Sequence, residues 1–198
     1  FKRLTFAGVR LVTLSEGKIT DLHVGLKGTM NALFLKDLAD KTRRGLRGRV
    51  EAGRSGGGNS YGYDVIPGSE GDRGQRRINS RETKIITRIF QEYGTGKSPR
   101  RIAFDLNPDS VPGPAGRDWG PSTINGNRSR GTGILNNELY IGRMIWNRLR
   151  YMKNPDTGKR ISKLNPTEDW IIHDVSELRI VDQDLWDAVK ARQEVVTK

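Results

Sequence analysis

The stretch from Thr29 to Gly58 limits the possible folds more than any other part of the chain. Met30, Phe34 and Leu38 recur at i, i+4 and i+8, with Leu33 and Leu35 widening the stripe, so a helix is predicted over residues 29–53. It would reach about 37 Å at roughly 1.5 Å per residue. Its halves differ in chemistry: residues 30–39 are mostly apolar, whereas Lys41, Arg43, Arg44, Arg47, Arg49 and Arg54 follow with Glu51 as the opposing charge. One end calls for a protein surface and the other for anions. Gly53 is a helix stop, and the arm GRSGGG, with Arg54 and Ser55, suits a narrow minor groove, where arginine meets enhanced negative potential and glycine removes bulk. A flexible linker is the plainer reading of the same glycines.

The overall charge agrees with an anionic partner. Lys and Arg number 35 against 23 Asp and Glu, a formal net charge of +12, which favours a nucleic acid. A hydrophobic content of 34% with four Trp, five Tyr and five Phe supports a folded core rather than disorder. No run approaches the roughly 18 apolar residues of a membrane span, and the N-terminal FKRLTFAGVRLVTL lacks the features of a signal peptide, so no membrane association and an intracellular location are expected. With no cysteine there is neither a disulfide framework nor a thiolate zinc site. His23 and His173 have no partner at metal-ligand spacing, and neither metal nor cofactor is expected.

Local patterns predict an α+β fold, predominantly helical. GVRLVTLSEG has the pattern of a buried strand through Val9, Leu11, Val12 and Leu14. A lone strand makes no sheet, so residues 1–28 are expected to be the tail of an α/β domain whose earlier part lies outside this sequence. A second domain starts near Ser60 with YGYDVIPG and a polar turn over Ser69–Asn79. A helix is predicted from an N-cap at Ser80, burying Ile85, Ile86, Ile89, Phe90 and Tyr93 and stopping at Gly94 and Gly96. The next is capped by Ser98 with Pro99 at its first position and buries Ile102, Ala103 and Leu106. The pair looks like the first part of a helix-turn-helix, with Lys97, Arg100 and Arg101 available for phosphate.

The segment WGPSTINGNRSRGTGILNNELYIG is expected to do the sequence reading. Asn125, Asn127, Arg128 and Arg130 are residue types that pair with base edges, and Ser122 and Thr123 at a helix start suit phosphate. A capped surface helix packed under Trp119 is the plainer alternative. Trp119, Ile134, Leu135, Tyr140 and Ile141 are assigned to the core. YIGRMIWNR, DWIIHD and ELRIV are read as strands, NPDTGKR as a turn, and residues 183–195 as a closing helix. Arg148, Arg150, Lys153, Lys159, Arg160 and Lys163 would make the hairpin basic, suiting either backbone contact or a charge-protected edge.

The succession KTRRGLRGRVEAGRSGGGNSYGYDV, ETKIITRIFQEYGTGKSPRRIAFDLN, WGPSTING, GILNNELYIGRMIWNR and PDTGKR resembles the large serine recombinases across nearly the whole chain. The resemblance implies that residues 1–28 end a resolvase-type catalytic domain, residues 29–54 form its long dimerisation and DNA-crossing helix, and residues 55–198 are the recombinase DNA-binding domain with a small hairpin wing. It further implies double-stranded DNA as partner, a homodimer or tetramer on DNA in the full-length protein, no cofactor, and work at a prokaryotic nucleoid. In that family a serine attacks a phosphodiester and holds the phosphate covalently, which conserves bond energy. Its Tyr-x-Arg-x-Ser type motif does not occur in these residues, so none of them is assigned a catalytic role and the chain alone is expected to leave DNA uncut. A non-enzymatic basic regulator or architectural protein is the alternative.

Overall fold

The computed structural model describes residues 1–68 and 74–196; about half of the chain is helical, and the strands pair as small antiparallel ladders. The chain divides into two compact units, Phe1–Gly45 and Leu46–Lys198.

The first unit holds a one-turn helix α1 (Lys2–Phe6), a hairpin of β1 (Val12–Thr13) and β2 (Gly17–Lys18), and most of helix α2 (Asp21–Glu51). The predicted buried strand is not there: Val9, Leu11, Val12 and Leu14 are exposed. The chain reverses at Gly17, whose φ of 66° is left-handed, after two residues, and a two-pair ladder has no face to bury. Helix α2 begins at Asp21 rather than Thr29. The Thr20 N–H donates to His23 Nδ1 at 3.2 Å, and Leu22 and Leu26 extend the four-residue stripe back from Met30. Gly25 and Gly28, poor helix formers, hide this start from a propensity reading. Leu26, Met30, Phe34 and Leu38 are all exposed.

In the second unit α2 ends with Val50 fully buried. The stop is a Schellman motif: Gly53, at φ 72°, donates to the Val50 carbonyl at 2.9 Å and Arg54 to the Arg49 carbonyl at 2.8 Å. Strands β3 (Tyr63–Val65) and β4 (Arg76–Ile78) pair with Tyr63 opposite Ile78. The turn predicted over 69–79 lies partly outside the described residues.

Helix α3 (Ser80–Gly94) is capped by Asn79, not Ser80: its side chain accepts from the Arg81 and Glu82 N–H groups at 3.1 and 3.2 Å. An Asx side chain one residue earlier takes the capping geometry, which leaves Ser80 as the first helical residue. Helix α4 (Pro99–Leu106) has the predicted Ser98 cap, whose hydroxyl accepts from the Arg101 N–H at 3.2 Å. Asn107 then grips the backbone of Trp119 from both sides, accepting from its N–H at 2.7 Å and donating to its carbonyl at 3.1 Å, and so seats helix α5 (Pro121–Asn125) against α4. Helix α6 (Gln183–Val196) packs on α3, and the Arg192 guanidinium caps the α3 C-terminus through the carbonyls of Tyr93, Gly96 and Lys97. The core joins Ile86, Ile89 and Phe90 of α3 to Ile102 and Leu106 of α4, Ile124 of α5, and Trp186 and Val189 of α6.

Strand β5 (Arg143–Trp146) pairs with β8 (Ile171–Asp174), and β6 (Leu149–Lys153) with β7 (Arg160–Leu164). The break between the two ladders is built by Asn147, at φ 63°, and by buried Asn165, whose amide donates to the Asn147 carbonyl at 2.7 Å. ELRIV is not a strand. Ser176–Leu178 form a 3-10 turn, and the Ile180 and Val181 N–H groups both donate to the Tyr140 carbonyl at 2.8 Å, which leaves no extended partner for the segment.

Candidate nucleic-acid interface

From Leu46 on, α2 belongs to the second unit, and the arm that follows it is docked within that unit. Ser55, expected to face DNA, is 6% exposed, and its hydroxyl works inside: it donates to the Gly58 carbonyl at 3.2 Å and accepts from the Gly57 N–H at 3.2 Å and from Arg76 Nη2 at 2.9 Å. Burial pushes the Arg76 guanidinium below its ordinary value, which marks how far this anchor is withdrawn from water. Gly56 lies so close to Trp146 and Val50 that a Cβ would sit 2.7 Å from the indole and 2.8 Å from the valine methyl. The arm is therefore a docked segment as far as Gly56, with Gly57 and Gly58 open. Arg44, Arg47 and Arg49 are exposed on α2, as is Arg43; Arg47 pairs with Glu51 at 2.8 Å, and Arg54 is half-buried.

The turn between α3 and α4 holds two of its three expected cations on carboxylates. Lys97 lies 3.0 Å from both Glu92 and Asp105, and Arg101 lies 2.9 Å from Asp105. Hydrogen bonds to those carboxylates raise the Lys97 pKa, and the bond to Lys97 holds Asp105 below its usual range. A phosphate here would have to displace carboxylates from both. Arg100 is exposed, with no carboxylate partner among the described residues.

Segment 122–130 is a helical turn followed by a tight loop rather than a recognition helix. Helix α5 has five residues, too few for a helix dipole to build up, and neither Ser122 nor Thr123 caps it, since Gly120 holds the N-cap position. It ends where Gly126 takes φ 53° and ψ −141°. Asn127 and Thr132 then close a loop, each N–H donating to the other's carbonyl at 3.1 Å. The Asn127 side-chain oxygen accepts from the Ser129 hydroxyl at 2.8 Å and the Arg130 N–H at 3.0 Å, so it shapes the loop. Asn125, Arg128 and Arg130 are exposed. Arg128 pairs with Glu194 of α6 at 3.3 Å, and Arg130 donates to the Ser162 hydroxyl of β7 at 2.9 Å, which sets the loop beside the hairpin. An open cleft of about 430 Å³ separates α5 from this loop, lined by Tyr61, Ser122, Thr123, Thr132 and Tyr140.

Hairpin β6–β7 carries four exposed cations, Arg150, Lys153, Arg160 and Lys163. Its register sets Arg150 directly opposite Lys163 and Lys153 opposite Arg160. Like charges so placed destabilise a ladder, and no carboxylate pairs with these four among the described residues. Arg160 stacks over the Tyr151 ring at 4.2 Å, and Met152 faces Ile161, which hold the strands together. An external anion placed between them would relieve the repulsion. Arg148, expected with this group, turns inward instead: it bonds Glu138 at 2.6 Å and lies over Trp170 at 4.6 Å.

Sequence reasoning missed a buried polar cluster behind the loop. Asn136, Lys190 and Gln193 join there, and their positions along the chain give no sign that they meet. Burial first, then the Arg128 guanidinium, push the Lys190 amine down to about 8; Glu138 acts the other way and Arg148 adds to the fall. Its ordinary value is 10.5, so between pH 8 and 10.5 the unfolded chain holds a proton that the folded chain lacks. Stability is therefore expected to rise with pH across that window, and Lys190→Met to remove the rise, as read by urea midpoints at pH values spanning it.

No helix among the described residues is long and apolar enough to cross a membrane, and no cluster of His, Asp and Glu among them could hold a metal ion. No curated protein matches the chain. Residues 80–195, which span more than half of the chain and take in every element from α3 to β8 with nearly all of α6, match the family model described as Recombinase, and the chain belongs to this family of site-specific recombinases.

Proposed function

We propose that this chain is the DNA-holding part of a serine site-specific recombinase. The observation that carries the reading is the partition of charge in the second unit: Lys97 and Arg101 are bound to carboxylates, whereas the hairpin cations face one another and Arg49 and Arg54 have no carboxylate partner among the described residues. Phosphate contact then falls to the hairpin and to the end of α2 with its arm, and sequence reading to the loop that presents Asn125, Arg128 and Arg130. Ser122, Thr123, Lys97, Arg100 and Arg101 take at most a secondary part. The exposed stripe of Leu26, Met30, Phe34 and Leu38 supports pairing of α2 with a second copy on DNA. Strand exchange through a phosphoserine belongs to the full-length protein, working at the nucleoid.

The hairpin provides the test. Arg150→Ala with Lys163→Ala removes one facing pair and is expected to weaken binding to random-sequence duplex by about tenfold or more near 0.1 M salt, as read by fluorescence anisotropy. Melting should not fall, because repulsion is removed with the charge. Affinity within about twofold of the parent would take the hairpin out of the interface.

A further inference from the structure

The loop from Asn125 to Thr132 is closed from behind by one buried side chain. Asn136 is 2% exposed. Its amide nitrogen donates to the Asn125 carbonyl at 2.6 Å and to the Thr132 carbonyl at 2.9 Å, gripping the loop at both ends. Its oxygen accepts from Lys190 Nζ at 2.9 Å and from the Gln193 amide at 3.2 Å, both on α6. Lys190 also donates to the Leu135 carbonyl at 2.6 Å and to Gln193 Oε1 at 3.1 Å, and lies 4.4 Å from the centre of the Trp186 ring. The amide orientation of Asn136 is thereby fixed: the oxygen must face the ammonium and the nitrogen must face the two carbonyls. A buried network of this kind is costly when incomplete, so it holds one loop geometry in preference to others.

The network does more than a packing role requires. An apolar side chain would fill the same space beneath the loop, yet the Asn125 carbonyl would lose the Asn136 amide as donor and the Thr132 carbonyl would keep only the Asn127 N–H. The exposed pair Arg128–Glu194 ties the same loop to the same helix from outside. Helix α6 is thus connected to the loop at two levels, and through Arg192 to the C-terminus of α3.

We propose that Asn136 is a positioning residue for DNA sequence recognition: seated on Lys190 and Gln193 of α6, it sets the conformation in which the loop presents Asn125, Arg128 and Arg130 to base edges. The inference rests on the reading of this loop as the sequence-reading part of the interface. It separates specificity from affinity, because the phosphate-contacting cations of α2 and of the hairpin are not held by Asn136.

Asn136→Asp is the sharpest test. It keeps the shape and the oxygen that accepts from Lys190 and Gln193 but sets a carboxylate oxygen against the Asn125 and Thr132 carbonyls. Lys190→Met is the second variant, should the first fold poorly; it leaves Asn136 in place and removes its support. In the intact chain without DNA, hydrogen exchange at the Asn127 and Thr132 amides should quicken by about tenfold or more while the α3 core amides hold. The DNA probe is a pool of duplexes with randomised centres, sequenced before and after selection. Base preferences enriched by the parent should fade by about tenfold while affinity for unselected duplex stays within about twofold. Unchanged loop exchange in a folded variant overturns the positioning role. Faster exchange with base preferences retained overturns it too, since the loop geometry would then not set recognition. If the parent binds no duplex, the DNA-binding reading itself fails, and the exchange result still decides whether Asn136 holds the loop.

Discussion

Replacing Gly126 with alanine is expected to cost about 3–5 kcal/mol of folding free energy. A Cβ there would lie 1.8 Å from the Thr132 carbonyl oxygen, 2.3 Å from its carbon and 2.5 Å from the Gly133 nitrogen. All three atoms are backbone, so no side chain can swing aside. The conformation at φ 53° and ψ −141° adds strain for any L-residue. The melting temperature should fall by roughly 6–20 °C for a chain of this size. Gly48→Ala is the matching control: a Cβ at this helical position meets nothing within 4 Å, and it should stabilise by up to about 1 kcal/mol. A Gly126→Ala protein that melts with the parent would mean that the loop does not close as described.

Joint replacement of Arg47, Arg49 and Arg54 with alanine is expected to weaken binding to random-sequence duplex by about 100-fold near 0.1 M salt and to flatten the salt dependence by about 2 to 3 units. Each cation that neutralises a phosphate releases counterions, and these three stand where the helix stops and the arm begins. Arg47 gives up a single exposed pair with Glu51, a contact worth little in water. Fold stability should scarcely change, because the capping bonds at Gly53 and Arg54 run through the backbone. An unchanged affinity would place the main phosphate contact outside this helix end.

The helices of the second unit were legible because their signals are local. Ser98 before Pro99, and the spacing of Ile86, Ile89, Phe90 and Tyr93, require no knowledge of the rest of the chain. Asn79 displaced Ser80 as a cap because two capping residues stand side by side and sequence alone does not choose between them. The α2 start was hidden by Gly25 and Gly28, whose low propensity a regular apolar stripe overrides. For the candidate site the failures are long-range. The carboxylates that occupy Lys97 and Arg101 could be placed only once α3 and α4 were in position, and the inward turn of Ser55 depends on Arg76, 21 residues away. That Arg150 faces Lys163 is a fact of register, and that Asn136 meets Lys190 is a fact of tertiary packing across 54 residues.

The salt dependence of the intact chain's affinity for a random-sequence duplex tests the proposed interface most directly. If Arg47, Arg49 and Arg54 with Arg150, Lys153, Arg160 and Lys163 all meet phosphate, the logarithm of the binding constant should fall against the logarithm of salt with a slope near −6. A slope shallower than about −2 would leave at most two phosphates neutralised and would contradict the proposed interface.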